Sequence, residues 1–292
     1  MQMRFDAVRN ISHKIQGDRI WRSGIAWAVG INAAFLAAIL LLCDLKYEVS
    51  DDFVMASILS GAYNGGEPDP HMIFVNVLIG YILIPFYKLF PQISWYFIFQ
   101  LALLFVSFVM ASYMLIEKNG RAVGGMLAVM LLTLFADDAY ILMQFTKTAS
   151  VAVMCASIVF VWSLFAGRKK ILTVASGLLC LAGTMLRFLS IYLAGGFLLV
   201  ILAVEFFRLY QKREGKAWVR KGAVIALCGA ALIGASYLCR EINSMSYRNS
   251  EEYSEFMRFN SLRSRVVDAA DKGYAAYREE MEELDISEND YW

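Results

Sequence analysis

The sequence predicts an all-α fold, a polytopic membrane helical bundle with an amphipathic outer-loop helix and a soluble tail, and three observations predict it. Apolar residues make up 59% of the 292 positions and charged residues only 18%, against about 45–50% and about 25% in water-soluble domains. The apolar residues gather in runs at 23–43, 73–90, 93–116, 122–136, 149–166, 171–186, 188–207 and 222–239. Most approach the roughly 20 residues that a helical crossing needs. Charge is segregated as well: residues 1–239 carry 20 Lys and Arg against 13 Asp and Glu, whereas residues 240–292 carry 7 against 13. A single soluble globule is excluded. A nucleic-acid partner is not expected, because the basic residues lie between apolar runs and form no continuous surface. The five cysteines sit in or at the ends of apolar runs with no close pair, and there are only two histidines, so neither a disulfide framework nor a zinc site is expected.

Residues 1–22 read as a cytoplasmic segment, since Arg4, Arg9, Lys14, Arg19 and Arg22 are the kind of residues retained inside. The run 23–43 is long enough to cross and reads as the first membrane helix of a module covering 23–239. Further basic clusters at Lys118 and Arg121, at Arg168-Lys169-Lys170 and between Arg208 and Lys221 are placed inside. The loop 44–72, residues 137–148, the turn at Arg187 and the tail from 240 are then outside. Two runs, 73–90 and 93–116, lie between an outer loop and an inner cluster, so parity asks that one of them not cross. The run 73–90 is the better candidate, because Asn76, Gly80, Pro85 and Lys88 interrupt it. The run 122–136 gives only about 22 Å of helix against a core of about 30 Å, which predicts that ADDAYILMQFTKT dips into the membrane as non-helical backbone. Residues 240–292 read as an extracytoplasmic tail. Within it, Tyr253, Phe256, Met257 and Phe259 provide an apolar face that could rest on the outer loop or on headgroups.

Two acidic pairs face the outer compartment. Asp51-Asp52 follows Ser50 at the start of a stretch whose Val54, Met55, Ile58 and Leu59 share one helical face, predicting a short helix on the membrane surface. The pair then serves either as helix-terminal residues satisfying free N–H groups or as chemistry at the water boundary. Asp137-Asp138 ends an apolar run and must lie at a mouth or in a polar cavity, because a charge at a helix centre costs several kcal/mol. Lys147 and Arg187 stand near the same boundary. Each either anchors to headgroups or holds an anion.

Carboxylates to accept a proton and cations to hold a phosphate suit glycosyl transfer from a lipid phosphate. The departing phosphate needs charge neutralisation and not a proton, so one general base for the acceptor hydroxyl is enough. A glycosidase would need two carboxyl groups flanking the bond.

Several features occur in order: the basic N-terminus, one crossing, an outer loop with the acidic pair, the Pro70-His71 step, a short run ending in outer acids, and a basic residue after a later run. DDFVMASILSG, PDPHMIF and LFPQISWY lie along this path. The set resembles the multispanning polyprenyl-phosphate-sugar glycosyltransferases of the GT-C superfamily, in a bacterial branch, over about residues 20–210. The resemblance implies Asp51 as general base with Asp52 beside it, and Asp137 or Asp138 as the second outer acid. It also implies Arg187 on the donor phosphate and His71 near it; by its charge alone, Lys147 is the other candidate to help hold that phosphate. Such enzymes continue past this point through more helices or an outer domain, so the resemblance implies a chain that covers part of one. The partners it implies are a polyprenyl-phosphate-linked sugar, membrane lipid, and a glycan or other envelope acceptor, in the bacterial plasma membrane. It implies no certain cofactor and leaves a divalent cation open. Rival readings are a transporter or flippase for a lipid-linked sugar, which would need charged or broken-helix features near mid-membrane, and a non-catalytic membrane subunit.

Overall fold

The computed structural model describes residues 23–63, 65–165, 170–211, 217–267 and 273–291. The expectations for residues 1–22, for Arg168-Lys169 and for part of the cluster between Arg208 and Lys221 lie outside them. The helices are α1 (Gly24–Leu42), α2 (Ser50–Ser60), α3 (Val77–Leu89), α4 (Trp95–Asn119), α5 (Arg121–Ile141), α6 (Phe145–Phe165), α7 (Lys170–Leu186), α8 (Ser190–Gln211), α9 (Ala217–Arg248), α10 (Glu251–Val267), α11 (Arg278–Glu283) and α12 (Glu288–Tyr291). A 3-10 turn, Tyr274–Ala276, precedes α11, and two short strands, β1 (Lys46–Tyr47) and β2 (Leu142–Met143), pair in parallel. Six helices, α1, α4, α5, α6, α8 and α9, contain stretches long and apolar enough to cross a membrane, while α3 and α7 are shorter apolar helices. The chain is a multi-pass membrane protein, all-α apart from two strands of two residues each.

The chain divides into two units, Met1–Tyr237 and Leu238–Trp292. In the first, α6 is the central helix. Its Ala149, Ala152 and Ala156 are fully buried, and Gly183 of α7 comes so close that an added Cβ would stand 2.7 Å from Val153 Cγ2. Small residues allow this approach, which supplies the dispersion contacts that bind helices when the surroundings are themselves apolar. A single residue joins α4 to α5: Gly120 has φ +79°, a left-handed conformation that glycine adopts without a Cβ clash. A hydrogen bond from Asn32 Nδ2 to Ser112 Oγ, 2.9 Å, ties α1 to α4. On α8, by contrast, Phe197, Leu199 and Val200 are exposed, as side chains facing lipid would be.

One end of the bundle gathers the outer loop. Pairing of Lys46 with Leu142 and of Tyr47 with Met143 stitches the stretch after α1 to the α5–α6 junction. Both ends of α3 are fastened at this same end. Asn76 N donates to Met185 O at the end of α7, 2.9 Å, and Tyr87 OH near the other end accepts from Tyr96 N, 3.0 Å. Both ends of this 13-residue helix are thus tied to elements at one end of the bundle, the arrangement that a run which does not cross would have. Gly80 makes this possible, since a Cβ there would lie 2.6 Å from the Cα of Pro70.

Two local expectations are corrected. The segment ADDAYI is not a non-helical dip, because α5 runs unbroken to Ile141. Asp137 and Asp138 are both exposed, so the helix can carry their charge in its last turn without burying it. The helix in the outer loop forms as expected over Ser50–Ser60, but its apolar face turns into protein. Met55 and Leu59 join a core cluster with Met72, Val75 and Ile79.

The second unit is small. Tyr274, Tyr277 and Met281 form its buried cluster, Tyr247 and Tyr253 meet edge to face at 5.8 Å, and Arg258 pairs with Glu283. Helix α9 stays helical to Arg248, past residue 240 where the sequence pattern starts the tail.

Candidate functional site

The two neighbouring acids of α2 have opposite fates. Asp51 is exposed, and among the described residues its side chain has no hydrogen-bond partner. Asp52 is fully buried. Neither caps the helix: Val49 is the N-cap and no side chain closes it. Asp52 instead takes donors from two other helices. Its Oδ1 accepts from Gln100 Nε2 at 2.8 Å and from Tyr96 OH at 3.2 Å, both on α4. The backbone N–H of Phe145, first residue of α6, reaches both carboxylate oxygens at 3.2 Å. Thr148 Oγ1 donates to Gln100 Oε1 at 3.0 Å and completes the chain of bonds. The N-terminus of α6 favours a carboxylate through its free N–H groups and its dipole.

Burial raises the Asp52 pKa above the ordinary carboxylate value, and the bonds from Gln100, Phe145 and Tyr96 oppose that shift without cancelling it. The folded protein therefore holds this proton more tightly than the unfolded chain. Its stabilising contribution is fully present below the unfolded value, about 4, and is lost as pH rises through the raised one. The stability of wild type relative to Asp52→Asn, followed by thermal unfolding in detergent, is expected to decline as pH rises from 4; a difference that is flat with pH contradicts this.

Phe145 connects the buried acid to a cation. While its N–H binds Asp52, its ring lies under Arg187, with Cζ 5.6 Å from the ring centroid, and stacks on Phe74 at 6.0 Å. Arg187, just beyond α7, is half-buried. Among the described residues no carboxylate lies within ion-pair range of it. A partly desolvated guanidinium of this kind retains donors for an anion.

His71 sits in the loop that leads into α3. Asp69 Oδ1 fixes it twice, through the ring Nδ1 at 2.7 Å and the backbone N–H at 2.8 Å. Two residues on, Ile73 has φ +66°, an unfavourable conformation for a β-branched side chain. Fully buried Met72 before it and nearly buried Val75 after it, together with the Asn76 bond to Met185, hold the loop in this shape.

Lys147 is committed elsewhere. Its Nζ lies 2.8 Å from Glu48 and 2.6 Å from Asp138, and it clamps the outer loop to α5 beside the strand pair. Asp137 Oδ1 accepts from the backbone N–H of Asp138, 2.7 Å. Asp51, Asp52, His71, Asp137, Asp138, Lys147 and Arg187 thus share one end of the first unit. Asp52 and Arg187 are joined through Phe145, whereas Asp138 and Lys147 belong to a separate ion-pair cluster with Glu48. Among the described residues no group of three or more His, Cys, Asp or Glu side chains could hold a metal ion.

Gln100, Tyr96, Thr148 and the aromatic pair Phe74–Phe145 are site residues that the sequence pattern did not single out. Gln100 had a signal: it is a polar amide within the apolar run WYFIFQLALL, where an unsatisfied amide would be costly, so a partner was to be expected. No known protein-family model matches the chain, and the comparisons with curated proteins and with solved structures give no match either.

Proposed function

We propose that the Asp52 end of the bundle transfers a sugar from a polyprenyl-phosphate donor to an acceptor hydroxyl of the cell envelope. The observation that carries this reading is the coupling through Phe145: an anchored acid with an exposed acid beside it on one side, and on the other a guanidinium without a carboxylate partner among the described residues. The acceptor oxygen attacks the anomeric carbon while Asp51 takes its proton. The bond from that carbon to the phosphate oxygen breaks, and the electron pair leaves with polyprenyl phosphate, whose charge Arg187 offsets. Asp52 is the positioning residue that holds α2 against α4 and α6. In this reading His71, oriented by Asp69, helps Arg187 with the donor phosphate. A donor with a long lipid tail fits a site at the end of a membrane bundle.

The transporter reading needs charge or broken helix near mid-membrane. Among the described residues the crossing helices carry Asp, Glu, Lys and Arg only toward their ends, and α5, the expected broken element, is continuous.

Arg187 tests the reading directly. Its guanidinium can grip two phosphate oxygens, and lysine keeps the charge but loses the fork. Donor affinity measured in detergent with a polyprenyl-phosphate-linked sugar is expected to fall about tenfold or more in Arg187→Ala and by less in Arg187→Lys. Equal affinity in wild type and Arg187→Ala contradicts the assignment.

The proposal also requires the Asp52 end to face away from the cytoplasm, the orientation that Lys118, Arg121 and Lys170 at the opposite end favour. In a variant lacking native cysteines, Asp51→Cys and Arg187→Cys are expected to react with an impermeant maleimide added from outside, and Lys170→Cys only from the cytoplasmic side. The reverse pattern overturns the common site.

A further inference from the structure

At the end of the first unit opposite Asp52, α1 and α5 leave an open groove of about 560 Å³. Trp27 and Ile31 form one wall, and Gly125, Met126, Val129 and Met130 the other, with Arg121 at the mouth and Thr133 at the far end. Met126, Val129 and Met130 are exposed. Gly125 leaves the floor open: a Cβ there would meet only Ile31 Cδ1, at 3.7 Å. Thr133 returns its hydroxyl to Val129 O at 2.6 Å, so it presents little polar demand to the groove.

We infer that this groove binds one acyl chain of an anionic phospholipid, with the lipid phosphate at Arg121. Both walls belong to helices long and apolar enough to cross a membrane, so the groove opens where lipid tails pack. From Arg121 to Thr133 the groove descends about 18 Å at 1.5 Å per residue, close to the roughly 15 Å hydrocarbon depth of a single leaflet. That matches a phospholipid tail anchored at one surface. The charge matches too, since Lys118, Arg121 and Lys170 outnumber Glu117 at this end of the bundle, where an anionic headgroup is favoured over a zwitterionic one. This site is separate from the Asp52 end and does not depend on the transfer reading.

The test uses the full chain in nanodiscs of equal phosphatidylglycerol and phosphatidylcholine, extracted gently and weighed by native mass spectrometry. The expected result is retention of phosphatidylglycerol with about a five-fold preference over phosphatidylcholine. Arg121→Gln is expected to abolish that preference and Arg121→Lys to keep most of it. Gly125→Phe fills the floor at a position with room for a Cβ, and is expected to lower retention of both lipids with the unfolding temperature unchanged. Equal retention of the two lipids by wild type, or retention unaffected by Gly125→Phe, overturns the proposal. So does a dimer that forms in place of bound lipid and dissociates in Gly125→Phe, which would make the groove an interface between two copies.

Discussion

Asp52→Ala is expected to cost the protein several kcal/mol and to lower its unfolding temperature in detergent by on the order of 10 °C. The substitution deletes one fully buried carboxylate, leaves Gln100 Nε2 and the Phe145 N–H without that acceptor, and leaves Tyr96 OH with only the weakly accepting Met55 sulfur at 4.0 Å. Each orphaned buried donor costs about 1–3 kcal/mol, and none can turn to water while α2, α4 and α6 remain packed. Lys147→Met provides the contrast. It breaks two ion pairs, but Asp138 is largely exposed and regains water, so a loss below about 1 kcal/mol is expected. Thermal unfolding of both variants beside wild type checks the ranking. An Asp52→Ala protein as stable as Lys147→Met would mean that the buried network does not hold the three helices together.

The bundle itself was legible because length and apolarity are local properties. Runs such as 23–43 and 93–116 announce membrane helices by themselves, and basic residues at Lys118 and Arg121 mark one end. The brevity of α3 was also readable, because Asn76 and Pro85 interrupt its apolar run and the helix covers only 13 residues. What the sequence concealed is the direction in which adjacent side chains point. Asp51 and Asp52 differ by one helical step of 100°, and the packing of Met55 and Leu59 against Met72, Val75 and Ile79 decides which of the two turns inward. The pairing of Phe145 with Asp52 spans 93 residues of sequence, and no local pattern encodes it. The strand pair was invisible for the same reason, since two residues on each side carry no periodicity. At 122–136 the sequence misled: an apolar run of 15 residues suggested that the helix stops short, but the helix continues through Asp137 and Asp138 to Ile141 because both side chains are exposed.

Asp51→Asn is expected to reduce sugar transfer by about 10²- to 10⁴-fold, the usual range for loss of a general base, while leaving unfolding unchanged. Asp51 is exposed, and asparagine keeps its size and its compatibility with the first turn of a helix. The pair of neighbours therefore separates two kinds of loss: Asp52→Ala acts through the fold, and Asp51→Asn through the chemistry. Full activity in Asp51→Asn, with the loss appearing only in Asp52 variants that remain folded, would move the base one residue along.

The central claim is that the Asp52 end releases polyprenyl phosphate from its sugar conjugate. Its most direct test is quantification of polyprenyl phosphate formed by the purified chain in lipid nanodiscs. The nanodiscs contain a labelled polyprenyl-phosphate-linked sugar and envelope acceptors, and wild type is compared with Asp51→Asn at matched amounts of folded protein. Release by wild type and its near-absence in Asp51→Asn is the predicted result; no release by wild type that binds the donor, or equal release by the two proteins, would contradict the account.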